Sequence, residues 1–449
     1  MGYARQPVSG IERGLRVEEQ KESVGQVLII AYHFPPCVGS SGLLRSEKFS
    51  RYLPEFDWQP FVLTLHPRAY DAIDLRSSER VHVPVVRTFA LDTKKHLSVR
   101  GFYLGWMALP DRWVSWVLGA IPTGLSMIRK YRIEVIFSTF PISTAILIGL
   151  LLHRLTGRPW VVDLRDSMTE EDYPKDARSR KVRRWIEGQA MRHASRVIFT
   201  AASTQRMYLS RYPELSREKC LLIPNGYDED DFASLSLRRP QPVPASRPLV
   251  LLHTGLVYPE ERDPRPFFRA IGRLKRERRI SAADLAIVFR ASGSEELFQS
   301  MINELDISDI IQLQPHIPYA QSLQECADAD GLLLFQAANC DHQIPAKAYE
   351  YLRMGKPILA MTTHTGDTAA LLNEVGGATI VKLAEDEDIY GGLAEYMAAI
   401  RAGIHPLPRL ADVRRYARKS QAEELAKCLA EVSRGSSKPA EQQAESLAR

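Results

Sequence analysis

The chain has 449 residues, 45% of them hydrophobic and 25% charged, which is the composition of a soluble globular protein of two or three domains. Its net charge of +5 is too small to indicate a nucleic-acid-binding protein, although it is compatible with anionic lipid or a phosphorylated substrate. The five cysteines are scattered without a C-x-x-C pair, which argues against a disulfide framework and a zinc site and favours a reducing cytosol.

The N-terminal segment 1–24 is polar, and we expect it to be disordered and not to act as a signal peptide. No run of about 18 apolar residues occurs, so no membrane-spanning helix is predicted.

The first half of the chain alternates apolar runs with segments of helical character. Gln26–Tyr32 predicts a buried strand; a loop rich in Pro, Gly and Ser, a helix near 43–53 and a strand at Pro60–Leu65 follow. This order is typical of a doubly wound parallel sheet. The loop lacks the G-x-G-x-x-G pattern, and no acidic residue follows the second strand, so a dinucleotide-dependent oxidoreductase is disfavoured. Further elements are predicted at 135–138, 142–155, 160–164, 175–196, 197–200 and 220–223.

A proline-rich linker at 233–248 precedes a second alternating set. Its predicted strands are 249–253, 285–289, 310–313, 331–335 and 357–361. We therefore predict an α/β fold of two doubly wound, Rossmann-like domains that face a cleft, the default ligand site. The predicted boundaries are a first domain at 25–232, a second at 249–405, a C-terminal helix packing back at 406–433 and a disordered tail at 434–449.

Two segments of the first domain have alternative interpretations. The tryptophan-rich segment Gly101–Tyr131 is either a pair of core helices or an amphipathic surface that meets lipid. The basic helix Lys175–Arg196 is either a solvated face or a site for anionic lipid.

A short helix after the apolar run Gly331–Phe335 is the strongest candidate for a phosphate site. Pro345 suits the start of this helix and Gly355 the residue just past its end. A strand followed by a helix N-terminus is where α/β proteins bind phosphate. Lys347 in the first turn is unfavourable against the helix dipole unless an anion is present, and Glu350 lies on nearly the same face. The alternative is an ordinary surface helix with solvated side chains.

Five short motifs stand in order along the chain. They are Phe34-Pro35-Pro36 with Gly39 and Gly42, Asp163-Leu164-Arg165-Asp166, Ile223-Pro224-Asn225-Gly226-Tyr227, Thr254-Gly255 with Arg262-Asp263-Pro264, and Pro345-Ala346-Lys347 with Glu350-Tyr351-Leu352 and Gly355-Lys356-Pro357. In this order and spacing they resemble a GT-B glycosyltransferase of the large retaining class, glycosyltransferase family 4. The resemblance extends from about residue 26 to 430, and the nearest subgroup builds bacterial cell-surface glycans.

The resemblance implies that the first domain binds the acceptor and the second a nucleotide sugar. Gly39 and Gly42 would form the loop that faces the donor phosphates, and Gly255 would let a second loop approach the donor. Arg262 and Lys347 would neutralise the diphosphate leaving group, which makes a metal unnecessary.

The other implied roles concern the sugar and the ribose. Glu350 would accept hydrogen bonds from the ribose, and Asp166 would orient the donor sugar or the acceptor. Where the family often carries a first glutamate, eight residues before Glu350, this chain has His342 preceded by Asp341. Either of the two would take over the contact with the donor sugar, or the sugar would be bound in another way.

The function implied is transfer of a hexosyl or N-acetylhexosaminyl unit, with retention, to a surface-glycan acceptor, either a glycan or a polyprenyl-linked one. The donor is a substrate, so no cofactor is expected. The expected location is the cytoplasm, with the alternative of peripheral attachment to the inner face of the membrane. The competing hypotheses are a GT-B epimerase or phosphorylase, and a sugar-nucleotide-binding protein that has lost turnover.

Overall fold

The computed structural model describes residues 25–38, 42–100, 102–259 and 262–447, with only the backbone for residue 80 and residues 436–447. The strands of the first half are β1 (Gly25–Ile30), β2 (Trp58–Leu65), β3 (Val85–Thr88), β4 (Val135–Thr139), β5 (Trp160–Leu164), β6 (Arg196–Phe199) and β7 (Cys220–Leu222). Those of the second half are β8 (Leu249–Thr254), β9 (Leu285–Arg290), β10 (Ile311–Gln314), β11 (Gly331–Phe335), β12 (Ile358–Met361) and β13 (Ala378–Val381).

Helices lie between most of the strands and follow the last of them. In the first half they are α1 (Gly42–Tyr52), α2 (Thr93–His96), α3 (Trp116–Lys130), α4 (Ser143–Thr156), α5 (Ala177–His193), α6 (Ala202–Arg211) and α7 (Glu229–Phe232). In the second half they are α8 (Arg265–Arg276), α9 (Glu295–Glu304), α10 (Tyr319–Asp328), α11 (Ala346–Met354), α12 (Asp367–Val375), α13 (Asp386–Ala402), α14 (Leu410–Val413) and α15 (Arg418–Leu447).

Each half forms one parallel sheet, in the orders β3-β2-β1-β4-β5-β6-β7 and β10-β9-β8-β11-β12-β13. The first strand of each half lies inside its sheet, with later strands added on both sides. The strand order therefore reverses beside β1 and beside β8, and a crevice opens at the carboxyl ends of the strands there. The predicted fold class, two doubly wound α/β domains, is confirmed.

The cores explain why the sequence folds in this way. Strands β4, β5, β11 and β12 are buried along their whole length, as expected of parallel strands covered by helices on both faces. Leu425 and Leu429 of α15 are fully buried in the cluster that contains Val27 of β1 and Phe49 of α1, so the C-terminal helix packs against the first domain.

The structure differs from the sequence-based expectations at several places. Strands β3 and β13 were not predicted, and α15 continues to Leu447 although disorder was expected from residue 434. The helix pair expected within Gly101–Tyr131 is one helix, α3, preceded by a segment with only a single short 3-10 turn. Residues 1–24 and Gly39 lie outside the described residues. Among the described helices, none combines the length and apolar character needed to cross a bilayer.

Candidate functional site

A pocket of about 150 Å³ lies between the two domains, at the carboxyl ends of both sheets. The first domain contributes residues that follow β5, β6 and β7, and the second contributes the loop after β8 and the segment between β11 and α11. The lining residues are Arg165, Asp166, Thr200, Asn225, Arg262, Gln336, Cys340, Gln343, Ile344, Pro345 and Ala346. The two sheets therefore bring together motifs that are far apart in the sequence.

Lys347 lies in the first turn of α11, next to the pocket-lining Ala346. Its Nζ donates a hydrogen bond to the carbonyl oxygen of Thr254. Burial, reinforced by the nearby charge of Arg262, lowers the pKa of Lys347 to about 7. The helix begins after Pro345 and has no side chain capping its N-terminus, so its first N–H groups are available to an anion.

Gly255 provides the space that Lys347 occupies. Its φ is +89°, a left-handed conformation that favours glycine, and a β-carbon on this residue would lie 3.2 Å from Lys347 Nζ. The sequence analysis expected Gly255 to let this loop approach the donor, and the structure shows a close approach to the Lys347 amine. Gly355, with φ of +68°, ends α11 as the sequence indicated.

Arg262 and Asp166 line the pocket from opposite domains. Arg262 donates from Nη1 to the carbonyl oxygen of Leu256 at 2.8 Å, and its guanidinium lies 5.4 Å from the ring centroid of Tyr258. Burial raises the pKa of Asp166, while the adjacent Arg165 opposes this rise. The pocket thus has a cation on one wall and, on the other, a carboxyl group that protonates more readily than usual.

Glu350 is paired with a residue that the sequence did not single out. The hydroxyl of Tyr319, in the first turn of α10, donates to Glu350 Oε1 at 2.7 Å. Burial raises the pKa of Glu350, and the hydrogen bond from Tyr319 opposes the rise. Tyr319 therefore fixes the orientation of the carboxylate.

His342 and Asp341 are not among the residues that line the pocket, and both have other partners. His342 Nε2 lies 2.8 Å from Glu170 Oε1, across the domain boundary, and this hydrogen bond raises the pKa of His342. Asp341 accepts a hydrogen bond from the Thr363 hydroxyl at 2.5 Å, and its backbone carbonyl accepts one from the Asp367 N–H. His342 nevertheless lies close enough to the pocket-lining Asp166 for its charge to oppose the rise in the pKa of that carboxyl group.

The two domains are joined by further hydrogen bonds beside His342. The backbone N–H and the hydroxyl of Ser203, at the start of α6, each donate to the Asp367 carboxylate at 2.8 Å. The hydroxyl of Thr204 donates to the backbone carbonyl of His342 at 2.6 Å. These hydrogen bonds hold the two domains together, and nothing in the local sequence of these residues identifies a partner in the other domain.

Gly42 begins α1, and its carbonyl oxygen accepts a hydrogen bond from the Arg165 guanidinium. A β-carbon at this position would overlap that guanidinium, so glycine is needed for packing. Asp163, which also belongs to the resembling motif, is fully buried and pairs with Arg45 Nη2 at 2.8 Å. The predicted phosphate-facing role of Gly39 falls outside the described residues.

One buried histidine was missed by the sequence analysis. His253 is fully buried near the end of β8, with Nδ1 2.8 Å from the carbonyl oxygen of Leu333 and Nε2 3.2 Å from Lys347 Nζ. An ionisable residue ending the apolar run before Thr254 was the available signal. No group of three or more His, Cys, Asp or Glu suited to hold a metal occurs among the described residues.

Residues 45–226 match the family model described as a glycosyl transferase 4-like domain. A glycosyltransferase from Rickettsia africae is similar in structure, with a TM-score of 0.63, 11% identity, and coverage of 91% of this chain and 98% of that one. The Anabaena protein HepE, solved in complex with UDP-glucose, has a TM-score of 0.56, 13% identity and coverage of 93% and 99%. A putative UDP-N-acetylglucosamine 2-epimerase from Listeria monocytogenes has a TM-score of 0.54, 11% identity and coverage of 89% and 94%. No curated protein matches the chain.

At these identities the similar structures establish the fold alone, and enzymes with different reactions share it. The two sheet topologies and these structures together show the GT-B fold, and within it residues 45–226 are similar to the glycosyl transferase 4-like domain.

Proposed function

We propose that this protein transfers a hexosyl or N-acetylhexosaminyl unit from a nucleotide-diphosphate-sugar to a cell-surface glycan acceptor, with retention of configuration. The observation that carries the proposal is the interdomain pocket, where Asp166 of one domain faces Arg262 and the N-terminus of α11 in the other. The match of residues 45–226 to a glycosyl transferase 4-like domain supports the same reaction class.

The cations of the site suit the leaving group of such a transfer. As the bond from the sugar to the diphosphate breaks, negative charge develops on the diphosphate oxygens. Arg262, the Lys347 amine and the free N–H groups of the first turn of α11 are available to stabilise that charge. Because two side-chain cations can neutralise the diphosphate, the proposed reaction requires no metal ion.

The remaining side chains bind and orient. In the proposed complex, Glu350 accepts hydrogen bonds from the ribose hydroxyls, with Tyr319 holding its other oxygen. Asp166 orients the donor sugar or the acceptor hydroxyl from the opposite wall.

The purified protein, incubated with a panel of nucleotide sugars and candidate glycan acceptors, tests the proposal. Mass spectrometry is expected to detect a product heavier than the acceptor by one sugar, and the coupling constant of the new anomeric proton reports retention. Lys347→Ala and Arg262→Ala are each expected to lower kcat about 100- to 1000-fold, as loss of one oxyanion donor does. Lys382→Ala removes an exposed lysine that pairs with Glu385 and does not line the interdomain pocket, and it should leave kcat unchanged.

The same assay separates the alternatives. An epimerase, the alternative already considered from the sequence, returns a nucleotide sugar of unchanged mass with altered stereochemistry. A binding protein without turnover retains the nucleotide sugar and forms neither product. Near-wild-type kcat in both cleft variants rejects the catalytic roles given to Lys347 and Arg262.

We also propose that the protein attaches peripherally to the cytoplasmic face of the membrane, where a polyprenyl-linked acceptor would be available. The supporting feature is an exposed apolar segment in which Phe102 is 83%, Leu104 61% and Trp106 68% accessible. A cavity of about 460 Å³ is lined both by this segment and by Arg178 and Arg183 of α5, so cations lie beside it. Each cation close to an anionic membrane contributes roughly 1 kcal/mol to the free energy of membrane binding.

The tryptophans of this segment differ in burial. Trp113 and Trp116 are buried, and Trp116 Nε1 donates to the Thr88 hydroxyl at 2.9 Å, so these two belong to the core. We expect the wild-type protein to float with anionic vesicles, and the amount that floats to fall as the salt concentration rises. Less protein should float for Trp106→Ser. Leu155→Ser is the control, because Leu155 is 60% exposed on α4. No flotation at low salt rejects attachment and leaves the transferase proposal intact.

A further inference from the structure

His253 is a buried histidine that the proposed transfer does not use directly. Its ring lies among aromatic side chains, with centroids 5.7 Å from Phe289 and 5.2 Å from Phe335. A polar ring in such surroundings is unfavourable unless its nitrogens are hydrogen-bonded. Its two nitrogens contact the carbonyl oxygen of Leu333 and Lys347 Nζ, so one of the two hydrogen bonds of the ring is made with the lysine of the cleft.

The backbone of Leu333, the backbone of Gly255 and the Lys347 amine all act on the His253 ring, and the 2.8 Å contact with Leu333 indicates one tautomer. The carbonyl oxygen of Leu333 can only accept, so Nδ1 must carry the proton that it receives. In a neutral ring Nε2 then has a lone pair, which accepts a hydrogen bond from the Lys347 amine. Burial and the charge of Lys347 lower the pKa of His253 well below its ordinary value, so the ring remains neutral.

The amine of Lys347 has few groups that favour its charged form. The ionisable groups that act on it are Arg262, which opposes protonation, Glu350 and Cys326, which favour it, and His253. Glu350 is itself hydrogen-bonded to Tyr319. Without a bound anion, the charged form of Lys347 is therefore stabilised by the Glu350 carboxylate and by two neutral acceptors, His253 Nε2 and the Thr254 carbonyl oxygen. The charge of Arg262 opposes it.

Building on the function proposed above, we infer that His253 is a positioning residue that directs the Lys347 amine towards the diphosphate, and that diphosphate binding adds a proton to that amine. The proton comes from solvent and takes up the lone pair of the neutral amine, which becomes an ammonium paired with the anion. Since burial lowers the pKa of Lys347 to about 7, uptake occurs above that pH and not below it. Affinity for the diphosphate should therefore fall as the pH rises past 7.

Calorimetry with UDP, GDP and inorganic pyrophosphate, each in two buffers of different ionisation enthalpy, measures the proton uptake. Lys347→Arg, whose side chain stays charged at both pH values, gives the protons that the ligand itself gains or loses on binding. Relative to this variant, the wild type is expected to take up close to one additional proton per site at pH 8 and close to none at pH 6. In His253→Asn the side chain can still donate to Leu333 but no longer reaches Lys347. The pKa of Lys347 in the free protein should then be lower, so binding weakens at a lower pH. If that pKa falls by about one unit, the affinity at pH 8 falls about tenfold. His253→Gln, whose amide oxygen can replace Nε2 as acceptor, is expected to restore the wild-type profile.

A second measurement needs no ligand. Competitive acetylation of the free protein across pH, read by peptide mass spectrometry, gives the titration of Lys347, with exposed Lys382 as internal reference. A Lys347 midpoint near 7 in the wild type and lower in His253→Asn supports the inference. Equal midpoints in the two proteins overturn it and leave His253 a core residue. A wild type that binds none of the three probes overturns the proposed function and the proton-linked binding, while the acetylation result still decides the role of His253.

Discussion

Replacing Gly255 by alanine is expected to weaken both the stability of the second domain and the chemistry of the cleft. The residue has a φ of +89°, and a left-handed conformation costs an L-residue roughly 1–2 kcal/mol. In a domain of this size such a loss lowers Tm by about 2–8 °C. The new β-carbon would also lie 3.2 Å from Lys347 Nζ, a distance at which the amine must move.

The effect on turnover follows from that movement. The lysine is displaced by a few tenths of an ångström rather than removed, whereas a displacement of about 1 Å of a catalytic group can cost on the order of 100-fold in rate. Gly255→Ala should therefore lose up to about 10-fold in kcat, less than the loss expected for Lys347→Ala.

Alanine variants of two other glycines are controls that distinguish the effect of backbone strain from the effect of the contact with Lys347. Gly157 has a φ of +68° with open space where a β-carbon would lie, so Gly157→Ala should lower Tm similarly without changing kcat. Gly391 lies in α13 with open space and no positive φ, and Gly391→Ala should raise stability by about 0.5–1 kcal/mol. Thermal unfolding and initial rates are measured for all three. A Gly255→Ala variant with wild-type kcat refutes the argument that this glycine makes room for the amine.

Three further predictions concern neighbouring groups. Glu350→Gln should raise KM more than it lowers kcat, because ribose contacts exist in ground and transition states alike; a hundredfold fall in kcat at unchanged KM contradicts this role. Activity should survive EDTA, and full loss restored by magnesium or manganese would show a metal requirement. The pair of His342 with Glu170 raises the pKa of His342, so its contribution to stability is complete below about pH 6.5 and declines as the pH rises through the raised value. Glu170→Gln should remove this pH dependence of Tm, and a Tm profile unchanged by the substitution rejects it.

The sequence predicts the fold well wherever a strand is buried on both faces. Runs such as Gly331–Phe335 and Trp160–Leu164 are apolar throughout, and the structure has strands with these same bounds. The missed strands β3 and β13 form edges of their sheets, and three of the four residues in each are only partly buried. Such short runs carry a weak apolar signal, although the other edge strands, β7 and β10, are also partly exposed and were predicted. Composition could not tell the exposed Trp106 from the buried Trp116, because burial depends on how the segment packs.

The site could be predicted as far as it follows from local motifs. Lys347 in the first turn of α11, Gly255 beneath it and Gly355 at the helix end follow from strand-to-helix geometry. The partners of these residues come from distant segments: His253 contacts Lys347 across 94 positions and Tyr319 contacts Glu350 across 31. Such pairings depend on how the elements pack, and no local spacing encodes them.

The difference at position 342 can be tested by introducing the glutamate that the resembling family often carries there. In this chain a carboxylate at 342 would face Glu170, which now lies 2.8 Å from the histidine ring, so two like charges would meet across the domains. Both side chains are partly exposed, at 21% and 32%, so the cost should be moderate, roughly 1 kcal/mol or less. His342→Glu alone should therefore lower Tm and not raise kcat, whereas the double variant with Glu170→Gln removes the repulsion and frees the new carboxylate. Tm and kcat are measured for both single variants and the double variant. If His342→Glu raises kcat without Glu170→Gln, the histidine is not held by the interdomain pair, and the position contacts the donor sugar directly.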